Sequence, residues 1–463
     1  MRNFYIQKPE NGNRIERSIR GLILALFLVS PALLSGQTAS DSLPSTLTLS
    51  QCITYALSNQ AMVRQSLIDE EITKKDVRIA LSGWYPQLEV DANIQHYFQA
   101  PLTTYPNLLD PSGPPITYPS TTNQTSSGLF QANQTLFSSN LYLAAINSKD
   151  LRKQASQNTE LTKIDTYVGV AKAFFDVLLT DEQLNVLDED ILRLQRNYKD
   201  SYNLYKDGLT DNIDYQRAGI ALSNVQAQRR SVNESVKSKY ALLKQLMGVP
   251  REKQFTVSFD SSLYEKEILI DTARVLDYKG RVEYQSMQTA LNLQGEQIRF
   301  YRSNFIPSLS AYYQFIPEYG SEQFSDLYAK TSSSSVVGLK LTYPLFQGFS
   351  RFQGLSKAKL QYRRLQVGTE YLKNVISSEY TNALSQYVSN LDEMKVANNN
   401  VTIARNIYKT VKYQYDKGIK AYLEVIVSET DLRTAELNYL DRLFQVLSSK
   451  LDLEKALGSI QPK

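Results

Sequence analysis

The chain has 463 residues, 51 basic against 47 acidic, about a fifth of them charged, and a mean hydropathy of −0.35. That balance excludes a helical membrane protein and a disordered chain alike. One His and one Cys rule out a Cys/His zinc site, and no P-loop or Gly-rich dinucleotide fingerprint occurs, so the residues call for no cofactor and point away from an enzyme.

Read in chain order, the first 36 residues have the form of a signal peptide. Arg14, Arg17 and Arg20 precede an apolar run over 21–34, and the small residues Ser35 and Gly36 follow. The run is shorter than the ~20 residues a spanning helix needs. Cleavage near Gly36 removes five basic and two acidic residues and leaves a net charge of about +1, so the basic balance gives nucleic-acid binding no support. No Cys stands just after the run, which argues against a lipid anchor; Cys52 reads as a buried helix residue.

A helix over about 60–84 ends before Pro86. From there Leu88, Val90, Ala92 and Ile94 alternate with Gln87, Glu89, Asp91, Asn93 and Gln95, predicting a strand over about 87–98 with one apolar face. A Pro-rich stretch over 100–125 reads as a long loop, and a second strand follows over about 126–137. His96 falls late in the first strand and reads as a barrel or rim residue.

Next comes a helix over about 138–206, with Leu161, Ile164, Val168, Ala171, Phe175 and Leu178 at the alternating three- and four-residue spacing of a coiled-coil seam. At 1.5 Å per residue it would reach ~100 Å, too long for one globular core. Gly208 turns the chain, and a helix over about 210–248 closes the first half, 37–250. A linker over 251–267 leads into a second half, 268–463.

The second half repeats the first. Tyr205-Lys-Asp-Gly208 recurs as Tyr415-Asp-Lys-Gly418 and Leu243…Gly248 as Leu453…Gly458, both at an offset of 210; Leu136-Phe137 recurs as Leu345-Phe346, and Trp84-Tyr-Pro86 as Phe305-Ile-Pro307. Strands are expected over about 308–316 and 334–343, with a Ser-rich loop over 317–335 between them, then a long helix over about 348–416 and a last helix over 420–458. In each half the two shorter helices stacked end to end nearly equal the long one, which predicts a rod of one continuous helix beside two stacked ones.

Strands of about ten residues cross a bilayer when tilted ~45°. Lipid offers no hydrogen-bond partner, so a spanning sheet must close on itself, and four strands are too few to do so. Identical copies must supply the rest.

This duplicated order, the Pro before the first strand of each hairpin, the Tyr-Pro344-Leu-Phe-x-Gly348 strand exit and the Tyr-x-x-Gly turns together resemble the TolC family of outer-membrane efflux proteins. The resemblance implies a mainly α fold with a small β part, a trimeric α-barrel tunnel in the periplasm joined to a 12-stranded transmembrane β-barrel in the outer membrane. It implies passive conduction of efflux or secretion substrates, as a homotrimer set in outer-membrane lipid, for an inner-membrane pump of RND or ABC type linked through a periplasmic adaptor (membrane fusion) protein. It places a pore-facing carboxylate at Glu424, with Val427 where the family has a second acidic residue, so that a ring of Glu424 side chains would attract cations beside a partly hydrophobic constriction. It also implies a gate latch of Tyr415, Lys420 and Asp214, and adaptor docking at the Gly208 and Gly418 turns. A periplasmic coiled-coil adaptor or scaffold is the rival reading; it accounts for the long helices but not for two membrane-length hairpins.

Overall fold

The computed structural model describes residues 44–107, 112–258, 268–271 and 274–462. The expected signal segment and most of the expected linker lie outside them. After a two-residue strand β1 (Thr46–Leu47) come helices α1 (Leu49–Asn59) and α2 (Ala61–Leu81), then strand β2 (Gln87–His96). A small hairpin of β3 (Leu102–Tyr105) and β4 (Ile116–Pro119) precedes β5 (Gln124–Phe137), the long helix α3 (Ser139–Lys206) and α4 (Asn212–Met247). Strand β6 (Thr256–Val257) follows in the linker segment, and the second half runs α5 (Val282–Ser303), β7 (Ser308–Ser321), β8 (Thr331–Thr342), the long helix α6 (Ser350–Asp416) and α7 (Tyr422–Ala456).

The duplication is visible in the backbone. α3 ends with Gly208 N–H donating to the Tyr205 carbonyl (3.0 Å) and Leu209 N–H to that of Leu204 (2.9 Å); α6 ends with the same pair, Gly418 to Tyr415 (2.8 Å) and Ile419 to Gln414 (2.9 Å). Gly208 and Gly418 have φ of 72° and 74°, the left-handed conformation these caps demand. Gly248 and Gly458 close α4 and α7 with the matching bonds, Val249 to Lys244 and Ser459 to Glu454.

Those last two glycines also mark where shorter helices abut. A Cβ on Gly248 would lie 2.8 Å from the Asn59 carbonyl oxygen and 2.9 Å from the Gln60 Cα, so α4 ends against the α1–α2 junction. A Cβ on Gly458 would lie 3.0 Å from the Gly280 carbonyl oxygen, just ahead of α5. Arg281 clamps this second joint, donating to the Ala456 carbonyl and to the carboxylates of Glu283 and Glu379. Each long helix therefore runs beside two stacked ones, α3 along α2 and α4, α6 along α5 and α7.

In α3 burial exceeds a heptad seam. Val168, Ala171, Phe175 and Leu178 are buried, and so are Val170, Ala173, Phe174 and Val177. A two-helix seam leaves these last four outward; here α3 packs against helices of both halves, α4 and α7 among them.

Strands β2-β5-β7-β8 form one antiparallel sheet in that order. The ladder corrects the loop expected over 317–335: β7 continues to Ser321, and residues 332–335 pair with residues 315–318. Ser is common in loops but tolerates an extended backbone, and the cross-strand bonds of the neighbouring residues carry it along. The loop expected over 100–125 likewise contains β3 paired with β4. β1 and β6 form a two-residue parallel ladder, tying the start of the first half to the segment after α4.

Candidate functional site: the sheet wall and the helix-turn end

Register assigns the sheet two chemically distinct faces. Leu88, Val90, Ala92 and Ile94 of β2 stand opposite Ala132, Phe130, Gly128 and Ser126 of β5. Phe130 and Ala132 stand opposite Phe315 and Tyr313, which stand opposite Ser335 and Val337; Ala311 and Leu309 follow opposite Leu339 and Leu341. This face is apolar over most of its extent. A bulge between Thr135 and Phe137 shifts the register and brings Phe137 opposite Leu309, onto the same face. The other face carries Glu89, Asp91, Asn93, Gln131, Asn133, Gln314, Ser310 and Lys340, with a 2.7 Å hydrogen bond from Gln314 to Gln131.

Among the described residues, the two outer strands, β2 and β8, each lack a partner on one side. Their apolar residues stand open: Leu88 is 80% exposed and Val337 78%. A sheet with one apolar face, one polar face and two free edges has the composition of a barrel segment. Among the described residues no helix is long and apolar enough to cross a membrane.

At the far end of the long helices lie the two turns. Tyr415 packs on Tyr422 with ring centroids 5.5 Å apart, over a small core of Ala218, Tyr422 and Val425 flanked by Tyr408, Val411 and Ile426. Burial raises the Tyr415 pKa, and the nearby Asp214, Asp416 and Asp200 carboxylates add to it. Tyr415 and Asp214 are thus brought near one another, though among the described residues no hydrogen bond joins Asp214 to Tyr415 or Lys420. Lys420 instead faces Glu424, at 3.9 Å. Its position just ahead of the α7 N-cap, Ala421, makes the carboxylate of the first helical turn its nearest partner.

Glu424 is more than half exposed, as is Val427 at 51%, with Leu423 (47%) and Ile419 (70%) beside them. Gly208 and Gly418 have open space around the position of a Cβ, so nothing but φ requires glycine there. Around the first turn, Tyr215 collects the rings of Tyr198, Tyr202 and Tyr205 at 5.0–6.4 Å.

A buried ionic cluster above these turns escaped the sequence reading. Asp190 of α3 is fully buried and accepts from Arg193 (3.1 Å) and from Arg433 of α7 (2.7 Å). Glu429 of α7, 1% exposed, accepts from Asn197 (3.1 Å) and faces Arg193 at 3.5 Å, a charge contact rather than a hydrogen bond. Burial, then the Asp190 charge, pushes the Glu429 carboxyl up to about 7 against the pull of Arg193. In sequence these residues are ordinary helix charges, and only the α3–α7 contact brings them together. Cys52 is buried, and burial pushes its thiol up to about 12, a poor nucleophile. His96 Nδ1 accepts from the Gln124 Nε2 amide at 2.6 Å at the end of β2.

Long helices laid beside stacked short ones, running into an open-edged sheet with one apolar face, form the architecture of the outer-membrane tunnel proteins. The chain matches the outer membrane efflux protein family over residues 52–249 and 280–459, one span in each repeat, and belongs to that family. It is 20% identical over 338 residues to the outer membrane protein TolC of Vibrio cholerae, covering 71% of this chain and 75% of that one. Among solved structures it resembles CusC (TM-score 0.70, 17% identity, 88% of this chain and 91% of that one). It also resembles the Campylobacter jejuni CmeC outer membrane channel (0.70, 17%, 89% and 85%) and the open state of the Neisseria gonorrhoeae MtrE channel (0.65, 18%, 89% and 88%).

Proposed function

We propose that this protein is the outer-membrane conduit of an efflux or secretion system, conducting substrates passively from the periplasm to the exterior. The observation that carries this reading is the four-stranded sheet whose β2 and β8 edges are free among the described residues and whose one face is apolar over most of its extent. In lipid an unpaired edge leaves a row of N–H and C=O groups without partners, each worth several kcal/mol. The edge strands run antiparallel, so β8 of one copy can pair with β2 of the next. Three copies give twelve strands, with polar faces such as Glu89, Asp91 and Gln131 lining the lumen. The strands, of 10 to 14 residues, suit a tilted crossing.

The organisation follows from the duplication: a signal peptide over 1–36, repeats over 37–250 and 268–463, and a linker between. The helix-turn end forms the periplasmic mouth. There Glu424 and Val427 line the constriction, a ring of three carboxylates favouring cations. Tyr415, Asp214 and Lys420 form the latch, in which Lys420 leaves Glu424 for Asp214 of a neighbouring copy, since among the described residues no such bond forms within one chain. The Gly208 and Gly418 turns, with exposed Leu209 and Ile419 beside them, dock a periplasmic adaptor that links an inner-membrane pump of RND or ABC type.

The test is threefold on the full chain: outer-membrane fractionation, a heat-labile trimer on gels, and conductance in planar bilayers. Water-soluble monomer in the absence of detergent would overturn the proposal. Trimer without conductance would assign it to the scaffold reading.

A further inference from the structure

Where strands meet helices, just beneath the apolar face, the structure forms a recess of about 370 Å³ lined by Phe137, Tyr142, Arg299, Arg302, Ser303 and Ile306. Four features distinguish it. First, the β-bulge before Phe137 places that ring on the apolar face, so the recess opens at the lower margin of the band that Leu309 and Leu341 continue. Second, it lies between α3 and α5, under the central strands β5 and β7, away from the edges where copies would meet. Third, Arg299 and Arg302 are exposed, one helical turn apart on α5, and among the described residues neither makes an ion pair or a side-chain hydrogen bond. Glu296, a turn below, is not within ion-pairing distance of either.

Fourth, aromatic side chains ring the same level. Trp84, Tyr85, Tyr343, Phe346, Phe349 and Phe352 are all more than a third exposed. Arg351 shows how a guanidinium behaves there when satisfied: it donates to the Pro344 and Asn304 carbonyls and lies 5.3 Å over Tyr343 and 5.4 Å over Phe305. Of these, Trp84, Tyr85 and Tyr343 have one polar edge, and such rings collect at the headgroup level of a bilayer. At that level two adjacent, unpartnered guanidiniums match a phosphodiester, whose oxygens they can take in bidentate fashion.

We propose that this recess binds the phosphate of a glycerophospholipid from the adjoining leaflet, its acyl chains lying along Phe137 and Ile306 and its phosphate held by Arg299 and Arg302. The assignment rests on the sheet being set in a membrane as described above. Basic pockets between helices at membrane interfaces recognise lipid headgroups by this same chemistry.

The experiment uses the full chain, purified in detergent, stripped of lipid and offered phosphatidylglycerol or a diacylglycerol with the same acyl chains. Native mass spectrometry then counts retained lipid. Wild type is expected to retain phosphatidylglycerol at least about 5-fold better than diacylglycerol. Arg299→Gln/Arg302→Gln removes that preference, and Arg299→Lys/Arg302→Lys retains part of it, keeping charge without the planar fork. Equal retention of the two lipids by wild type overturns the proposal with no variant needed, and so does an undiminished preference in the Gln double variant. Displacement of the lipid by an equal concentration of inorganic phosphate assigns the recess to the free ion and overturns the lipid reading. Outer-membrane fractionation and conductance are read in parallel. A wild type that conducts normally but shows no lipid preference loses only this site, whereas one that never partitions with the membrane loses the conduit reading itself.

Discussion

Replacing Glu429 by Gln removes a charge from the α3–α7 cluster while leaving an amide oxygen to accept the Asn197 bond, and its consequence depends on pH. In the folded protein the carboxyl titrates at about 7 rather than its ordinary 4.5, because burial and the Asp190 charge outweigh Arg193. An acid whose folded pKa is raised holds its proton in the native state while the unfolded chain has lost it. Stability therefore falls as pH rises from about 4.5 to about 7, and the full cost is present above 7. For a side chain this buried the displacement corresponds to on the order of 3 kcal/mol. Gln mimics the protonated form. The variant is thus expected to match wild type near pH 5 and to exceed it by up to about 3 kcal/mol near pH 8. Thermal or urea unfolding of the detergent-solubilised protein, followed by helical circular dichroism at both pH values, measures the difference. A gain of the same size at both, or a less stable variant near pH 8, would refute the reasoning and show that the Arg193–Glu429 attraction dominates.

Adjacent residues of β8 test the two faces of the sheet. In the proposed barrel, Val337→Arg would put a charge on the lipid-facing apolar face at a cost of about 2–4 kcal/mol near mid-membrane and is expected to cut assembled outer-membrane protein sharply, whereas Val336→Arg, on the polar face, is expected to alter conductance with assembly intact. Equal assembly of both on a quantitative blot would remove the face assignment. Gly248→Ala meets both a positive φ and the Asn59–Gln60 backbone and should destabilise by about 2 kcal/mol or more; Gly208→Ala, with open space around it, should lose only about 1 kcal/mol to backbone strain, both read by denaturant unfolding. If Glu424 lines the pore as proposed, Glu424→Gln is expected to lower cation preference, seen as a reversal potential moving toward zero across a salt gradient. Asp214→Ala is expected to raise single-channel conductance by releasing the latch, and an unchanged conductance would dismiss it.

Some of this structure is legible from residue order because local rules govern it. Alternation in Leu88–Val90–Ala92–Ile94 reports a strand with one apolar face, since successive side chains point to opposite sides wherever the partner strand comes from. Gly208 and Gly418 report helix ends, since a left-handed residue after a long helical run has few alternatives to Gly. The Ser-rich segment 332–335 misleads for the complementary reason: its composition suits a loop, but register with residues 315–318, set by neighbours on both sides, holds it in the sheet.

Features that depend on partners distant in the chain leave no local trace. Asp190, Asn197, Glu429 and Arg433 look like solvated polar helix residues, and they become a buried cluster because α3 of one repeat lies against α7 of the other. The turning of Phe137 onto the apolar face depends likewise on a bulge opposite β7. Periodicity and punctuation act within a few residues and so can be read along a line. Burial, register and charge pairing of this kind arise where segments far apart in the chain share one environment, and they exist only once the chain has folded.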